Sequence, residues 1–406
     1  MPIAKVVIGA GYGDEGKGLM TDALVAPYGA AATVVRYNGG AQAGHTVTLA
    51  DGRRHVFHDV GAGTLAGAAT FLSRFFVANP ILLSPEIADL AAIGVTPRIA
   101  IDPGAPVTTP FDMMINQIAE RARGKGRHGS CGLGFGETLE RQLRPEFALT
   151  VRQLEEEALP SRLTAMRRLW APERLSRLGL WPLGLADMAL LNDDANIEHW
   201  LEDAAAVLDA VRISEAASLR KAEVLVFEGA QGLMLDQDRG AFPHVTRSNT
   251  GLKNVLTLAA DIGIAHLDAT YVTRCYATRH GAGPLAHELP GPPHPRVVDA
   301  TNITNAWQGA LRFGTLDLSI LERAIASDLA DAGPGTATVS HSLAVTCLDQ
   351  VGPAASYFDS GRLCQASPER LAVAAARAVG AATLITSFGP TRDAVTFAEA
   401  TRRRAV

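Results

Sequence analysis

Residues 11–18 read Gly11-Tyr12-Gly13-Asp14-Glu15-Gly16-Lys17-Gly18. The run follows an apolar, β-branched segment, Val6-Val7-Ile8, and leads into a helix-like apolar one at 19–25. Glycines there let backbone N–H groups close around phosphate oxygens, at a helix N-terminus whose dipole favours negative charge. Gly11 through Lys17 fits the phosphate-loop pattern G-x-x-x-x-G-K, but Gly18 stands where that pattern has Ser or Thr, so the usual hydroxyl ligand for Mg²⁺ is missing. Asp14 and Glu15 lie inside the loop instead, a costly place for negative charge beside a polyphosphate unless one of them binds metal or acts as a base. Gly13, Glu15, Gly16 and Gly18 are the candidate nucleotide contacts of this loop, with Lys17 beside them. A glycine-rich turn without ligand is the plain alternative for this stretch taken alone.

A second buried strand, Val34-Val35-Arg36-Tyr37, runs into another polar loop, Asn38-Gly39-Gly40-Ala41-Gln42-Ala43-Gly44-His45-Thr46. Two strand ends followed by glycine-rich loops are expected at one edge of a parallel sheet, where ligands bind. By itself His45 reads as a packed structural histidine. Beside Asp14 and Lys17 it becomes a candidate general acid or phosphate contact.

These two loops together resemble the opening of the adenylosuccinate synthetase family, and further stretches match in the family's order. Phe227-Glu228-Gly229-Ala230-Gln231-Gly232 with Leu235-Asp236 resembles its FEGAQG loop, and Phe242-Pro243-His244-Val245-Thr246 with Ser248-Asn249-Thr250 the segment after it. Tyr276-Ala277-Thr278-Arg279 and Gly281-Ala282-Gly283-Pro284 resemble its TRVGAGP stretch, and Ser387-Phe388-Gly389-Pro390-Thr391-Arg392 its STGPDR turn. The likeness runs from residue 6 to about 392, nearly the whole chain.

Composition fits a soluble globular enzyme. The 406 residues are 47% hydrophobic and 19% charged, enough for a large core. A net charge of −5 gives no reason to expect nucleic-acid binding. Cys131, Cys275, Cys347 and Cys364 are scattered without a C-x-x-C pair, which suggests neither zinc site nor disulfide framework. No apolar run approaches membrane-spanning length, and with no signal peptide in view the cytoplasm is the expected compartment.

Short apolar segments at 6–8, 34–37, 223–228, 270–277, 343–346 and 383–386 read as buried strands. Helix-like stretches lie at 111–123, 196–218 and 368–379, with Ser214 near the end of the second. The expected fold class is α/β: a large, mostly parallel central sheet flanked by helices, a P-loop-like nucleotide-binding architecture with helical insertions, the clearest at 140–200. The Pro-rich run 290–295 is a loop. A single domain is expected over 1–406.

The resemblance implies a ligase. Asp14 would take the proton from the ring nitrogen beside the 6-oxo group of a purine nucleotide, inosine monophosphate first, while a nucleoside triphosphate phosphorylates that oxygen. L-aspartate then displaces phosphate. His45 would donate to the phosphate bridge, Lys17 would spread positive charge over the transferring group, and Mg²⁺ would sit among Asp14, the Gly44 carbonyl and the phosphates. Gln42, Thr46, Ser130, Gln231, Thr246 and Gly389 fall at nucleotide-contact positions. An arginine reaching a partner's site in a homodimer is carried onto Arg144, with Arg141 nearly as good.

Three departures qualify this. The family's aspartate loop reads like TTGRRRRTGWLD, whereas 302–317 here keeps only Arg312, leaving Asn302, Thr304 and Asn305 to help hold an amino acid. The guanine-reading TKLD is Thr346-Cys347-Leu348-Asp349, so Asp349 persists without the lysine stem and ATP becomes an alternative to GTP. Gln42 stands where Asn is usual and Ala41 where the family has a histidine; these changes resemble the viral branch that makes 2-aminoadenylosuccinate from deoxyguanylate, although that branch typically lacks the aspartate kept here as Asp14. A relative acting on another amino acid is a second alternative. A non-catalytic nucleotide-binding regulator is a third, and the joint retention of Asp14, Lys17, His45 and Gln231 argues against it.

Overall fold

The computed structural model describes residues 2–297, 307 and 309–399. Ten strands build the central sheet: β1 (Ile3–Gly9), β2 (Ala32–Arg36), β3 (Ala69–Leu72), β4 (Ile99–Ile101), β5 (Val211–Ile213), β6 (Val224–Glu228), β7 (His266–Arg274), β8 (Thr338–Thr346), β9 (Thr383–Ser387) and β10 (Val395–Glu399). Their order is β10-β9-β8-β7-β1-β6-β2-β3-β4-β5. Every neighbouring pair is parallel except β9–β10.

The apolar runs explain this arrangement. Val6, Val7 and Ile8, Val34 and Val35, and Leu225, Val226 and Phe227 have no measurable solvent exposure on either face, as strands covered by helices on both sides require. In register, Val6 sits between Phe227 and Ala269. One face packs against helices Leu252–Ile262, Leu318–Leu329 and Pro368–Ala378, the other against α1 (Lys17–Val25). A third cluster, built on Phe111, Trp170 and Trp200, forms a helical lobe over β3 and β4.

The helical insertion at 140–200 appears as four short helices and a π turn, continuing into Ala195–Ala210. Helix Pro110–Arg123 starts on a capping box: Thr109 and Asp112 satisfy each other's backbone N–H groups, and proline fills the first turn. The expected helix 196–218 stops at Ala210. Val211 and Ile213 pair with Ile99 and Ile101 as the edge strand β5, and the Ser214 N–H donates to the Ile101 carbonyl. Two β-branched residues at alternate positions beside an open strand edge outweigh the helical pattern there. The strand expected at 270–277 likewise divides: β7 ends at Arg274, and Ala277–Arg279 joins a small antiparallel sheet with 288–289 and 312–314. The Pro-rich run 290–295 carries no helix or strand. Among the described residues no helix is long and apolar enough to cross a membrane.

Asp328, fully buried on Leu318–Leu329, ties the sheet to the segment entering helix Leu252–Ile262. It accepts hydrogen bonds from the Leu252 N–H at 3.0 Å and the Tyr271 hydroxyl at 2.9 Å, and pairs with Arg239 at 3.0 Å. Gly251 presses against it: a Cβ there would lie 1.8 Å from the Asp328 carboxylate. Gly251→Ala should therefore cost on the order of 2 kcal/mol or more, measurable as a lower urea midpoint; an unchanged midpoint contradicts the fit described.

Candidate active site

The carboxyl ends of five adjacent strands, β8, β7, β1, β6 and β2, carry the loops in question. The first leaves β1. Gly13, Asp14 and Gly16 have φ of 96°, 62° and 92°, a left-handed series that aspartate tolerates better than most side chains. Glu15 folds back into the concavity. Its Oε1 accepts from the N–H groups of Gly11 at 3.0 Å and Gly13 at 2.8 Å, and its Oε2 pairs with Lys17 Nζ at 2.9 Å. The carboxylate thus occupies the donors expected to face a phosphate, and a polyphosphate entering the loop must take them over.

Asp14 lies on the outer side. Its Oδ2 is 2.9 Å from His280 Nδ1, and its carbonyl accepts from Arg274 Nε. Burial pushes the Asp14 carboxyl up, but the His280 hydrogen bond and the positive charges of His280, Arg274 and Lys17 outweigh it, so its pKa lies below the ordinary value and the group is ionised at neutral pH.

The second loop leaves β2. Asn38 clamps it to the third, donating to the Ala230 carbonyl at 3.1 Å and accepting from the Ala230 N–H at 2.7 Å. His58 bonds the Ala43 carbonyl at 2.8 Å. The loop ends in a short hairpin, His45–Thr48 with Arg54–Phe57. His45 Nδ1 stands 2.7 Å from Oε1 of Glu228, whose other oxygen takes the Ala62 N–H at 3.0 Å and lies 3.9 Å from Arg36 Nε. Burial depresses the His45 pKa against the pull of Glu228, and Arg36 and Lys17 add to the depression. Glu228, which burial raises, is brought below its usual value by His45 and Arg36. A neutral imidazole with its proton on Nδ1 leaves Nε2 as an acceptor, so His45 donates to a phosphate only after taking up a proton.

Gly18 marks where α1 meets this hairpin. A Cβ at Gly18 would fall 2.8 Å from the Thr46 carbonyl oxygen and 2.9 Å from the His45 carbonyl carbon. The missing loop hydroxyl is a packing constraint: any side chain at Gly18 collides with backbone.

Gln231, at φ 59°, lies against the first loop, its Cα 3.7 Å from where a Gly13 Cβ would be. Gln231 Oε1 and Gln42 Nε2 both sit 3.7 Å from the corresponding point at Gly39. Both atoms are buried with no hydrogen-bond partner among the described residues, so a water or a bound molecule can satisfy them. Thr346 at the end of β8 donates to the Glu15 carbonyl at 2.7 Å, which brings Cys347 and the exposed Asp349 beside the loop. Ser130 is bonded to Asn116 at 3.0 Å on a loop whose Gly129 packs directly on Gly281. Thr246 is half-buried, its N–H donating to the Leu235 carbonyl. Gly44 is exposed beside His45. The Gly389 carbonyl accepts from Ser387 Oγ at 2.7 Å in the turn whose Arg392 pairs with Asp22 of α1.

Three arginines named from the sequence are already paired with carboxylates. Arg141 is fully buried, gripping Asp112 and the carbonyls of Val107 and Phe147, so it is an internal strut and does not reach a partner's site. Arg144 lies on the helical lobe, paired with Glu146 and Glu173. Arg312 spends its fork on Glu288, at 2.7 and 2.5 Å, and on the carbonyls of Gly281 and Gly283. Its guanidinium is engaged before any substrate carboxylate arrives. Asn302, Thr304 and Asn305 lie outside the described residues. His280, Asn38 and Arg274 were not singled out from the sequence. His280 falls inside the TRVGAGP-like stretch where the pattern has valine, the one signal that could have drawn attention to it.

The family model described as adenylosuccinate synthetase matches residues 6–378. The adenylosuccinate synthetase of Stenotrophomonas maltophilia is 32% identical over 337 residues, covering 79% of this chain and 74% of that protein. That of Anaeromyxobacter dehalogenans is 35% identical over 289 residues, covering 70% of this chain and 65% of the relative. Among solved structures, the fully ligated adenylosuccinate synthetase of Plasmodium falciparum shares the fold with a TM-score of 0.75 at 19% identity, covering 97% of this chain and 99% of that one. The cyanophage S-2L succinoaminodeoxyadenylate synthetase, bound to dGMP and to dATP as energy donor, matches with a TM-score of 0.58 at 17% identity, covering 98% and 95%.

The contact at Gly18 makes a prediction opposite to the phosphate-loop pattern. Gly18→Ser, which restores the pattern's hydroxyl, should lower stability by about 1–3 kcal/mol and lower turnover, read by thermal unfolding and phosphate release. A Gly18→Ser variant as stable and active as the parent refutes the steric account.

Proposed function

The chain belongs to the adenylosuccinate synthetase family of nucleoside-triphosphate-dependent C–N ligases, and on that premise we propose that it phosphorylates the 6-oxygen of a purine nucleoside monophosphate, inosine monophosphate first, and replaces the phosphate with the amine of L-aspartate. The observation that carries this reading is the ionised Asp14, held outward at the rim of a phosphate-type loop within reach of Lys17. A carboxylate there can remove the proton from the purine ring nitrogen as the triphosphate lies along the loop.

In this reading Asp14 takes the ring proton and the 6-oxygen attacks the γ-phosphorus. The bond to the β–γ bridging oxygen breaks, and the nucleoside diphosphate leaves. The aspartate amine then attacks carbon six. Phosphate departs with the electron pair of the carbon–oxygen bond, and the nitrogen loses its proton to water. Lys17, released from Glu15 when phosphate replaces that carboxylate, stabilises the transferring charge. His45, oriented by Glu228, takes up a proton beside the polyphosphate and gives a hydrogen bond to the bridging oxygen. Gln42 and Gln231 offer their unpaired amide atoms to the monophosphate side. Thr46, Ser130, Thr246 and Gly389 would add nucleotide contacts, and Asp349 would accept from the triphosphate's base.

The Asp14 carboxylate and the exposed Gly44 carbonyl are hard oxygen donors of the kind that would hold Mg²⁺ together with phosphates. Magnesium held there would neutralise charge on the phosphoryl group in transfer. A homodimer with Arg144 acting across it, and a cytoplasmic location, belong to the same reading.

A (d)GMP acceptor is the second reading, favoured by Gln42 with its unsatisfied amide nitrogen in place of the usual Asn. Aspartate as the amino acid rests on the family, since Arg312 is committed to Glu288.

The test is phosphate release from GTP and from ATP, with inosinate or deoxyguanylate, with and without aspartate. Release that needs triphosphate, monophosphate and aspartate together is expected; release independent of the last two would identify a triphosphatase instead. Asp14→Asn should retain nucleotide binding by calorimetry while turnover disappears, because an amide cannot accept the proton. Cys347→Lys should raise the GTP-over-ATP ratio of kcat/KM, and an unmoved ratio counts against guanine reading at Cys347.

A further inference from the structure

We propose that His280 is a positioning residue for Asp14: its Nδ1–H holds one carboxylate oxygen so that the other is presented to the purine ring proton. This rests on Asp14 being the base, and it goes beyond that reading in assigning the residue that aims it.

The two side chains meet at 2.9 Å, with only 16% and 22% of their surfaces exposed. Since Asp14 is ionised, the contact is a hydrogen bond from the imidazole N–H to a carboxylate, a charge-assisted kind of pair roughly twice as strong as a neutral one. Among the described residues only Oδ2 is used, which leaves Oδ1 as the acceptor.

Both ends are fixed independently of each other. Asp14 sits in a left-handed backbone conformation, its carbonyl held by Arg274 from β7. His280 begins the loop after Ala277–Arg279, and two arginines lock that loop. Arg279 donates to the carbonyls of Ala282 at 3.1 Å, Pro284 at 2.8 Å and His244 at 3.0 Å. Arg312 donates to the carbonyls of Gly281 at 3.0 Å and Gly283 at 2.9 Å. The imidazole is therefore delivered by a braced loop to a braced carboxylate, as preorganisation of a catalytic group requires. The placement also gives Arg312 a role: it stiffens the segment that aims the base. Valine, which the TRVGAGP pattern has at His280, cannot supply this bond, so the device belongs to this chain's own sequence.

The experiment compares the parent with His280→Val, His280→Asn and Asp14→Asn, each checked for folding by thermal unfolding. Phosphate release is followed with GTP, aspartate and whichever of inosinate or deoxyguanylate the parent turns over. His280→Val should lose roughly tenfold or more in kcat, the worth of a hydrogen bond to a charged group, with KM for GTP within about twofold of the parent's because the phosphate loop's own bonds are intact. His280→Asn, whose amide N–H stands near the Nδ1 position, should recover most of that loss. Parent-like kcat in His280→Val overturns the inference, as does equal loss in the His280→Val and His280→Asn variants with KM for GTP raised in both, the signature of a packing role. Asp14→Asn separates the layers. If it is inactive while His280→Val is normal, only the positioning role falls. If it remains active, the base assignment fails and takes this inference with it.

Discussion

Glu15 turns inward, takes the N–H groups of Gly11 and Gly13, and neutralises Lys17. The geometry of the sheet's carboxyl edge depends on that closed circuit. A lysine this deeply buried, at the start of a helix whose every residue is buried, needs a counter-charge, and removing one partner of such a pair typically costs about 3–5 kcal/mol. The circuit fixes the loop's left-handed turns. Those turns in turn set Asp14 on the outer side, where the loop leaving β7 meets it. The scaffold of the loop is therefore already formed by the protein's own carboxylate.

Much of this was legible in the chain. Six apolar runs located six central strands, because a strand buried on both faces must be apolar throughout, and the glycine loops between strand and helix marked the binding edge. Four strands, β3, β4, β5 and β10, were not legible. β4 and β5 have three residues each, too few for a periodic signal, and β5 was hidden inside a helical pattern that its neighbour overrode. The two sheet-edge loops that carry Asp14 and His45 came together as expected from strand ends alone, and the loop of Gln231, singled out by the family resemblance, joins them. What sequence reading missed are long-range partnerships: Asn38 with Ala230, Glu228 with His45, Asp14 with His280. Such pairs are separated by more than 180 positions, and no local pattern encodes them. The partners of the arginines were illegible for a related reason. Charge and position near a motif do not reveal whether a guanidinium is already taken, and Arg141 and Arg312 are.

Gly18 shows how one packing fact reshapes a motif. With α1 pressed against the backbone of His45 and Thr46, the helix can approach the hairpin only if its second residue lacks a side chain. The hydroxyl lost from the pattern is exchanged for proximity of the histidine-bearing loop.

Among the described residues, Gln42, His280, Cys347 and Arg312, where this chain departs from its relatives' motifs, lie off the ten central strands: the first three in loops that follow strands, Arg312 on the small antiparallel sheet. The pairing of the ten central strands does not involve those positions, although Cys347 and the neighbours of Arg312, Leu311 and Phe313, pack against the largest apolar cluster. Such a division uncouples inheritance of shape from choice of chemistry: a lineage can retune which nucleotide or amine it accepts, one rim residue at a time, while the folding problem it solved once stays solved.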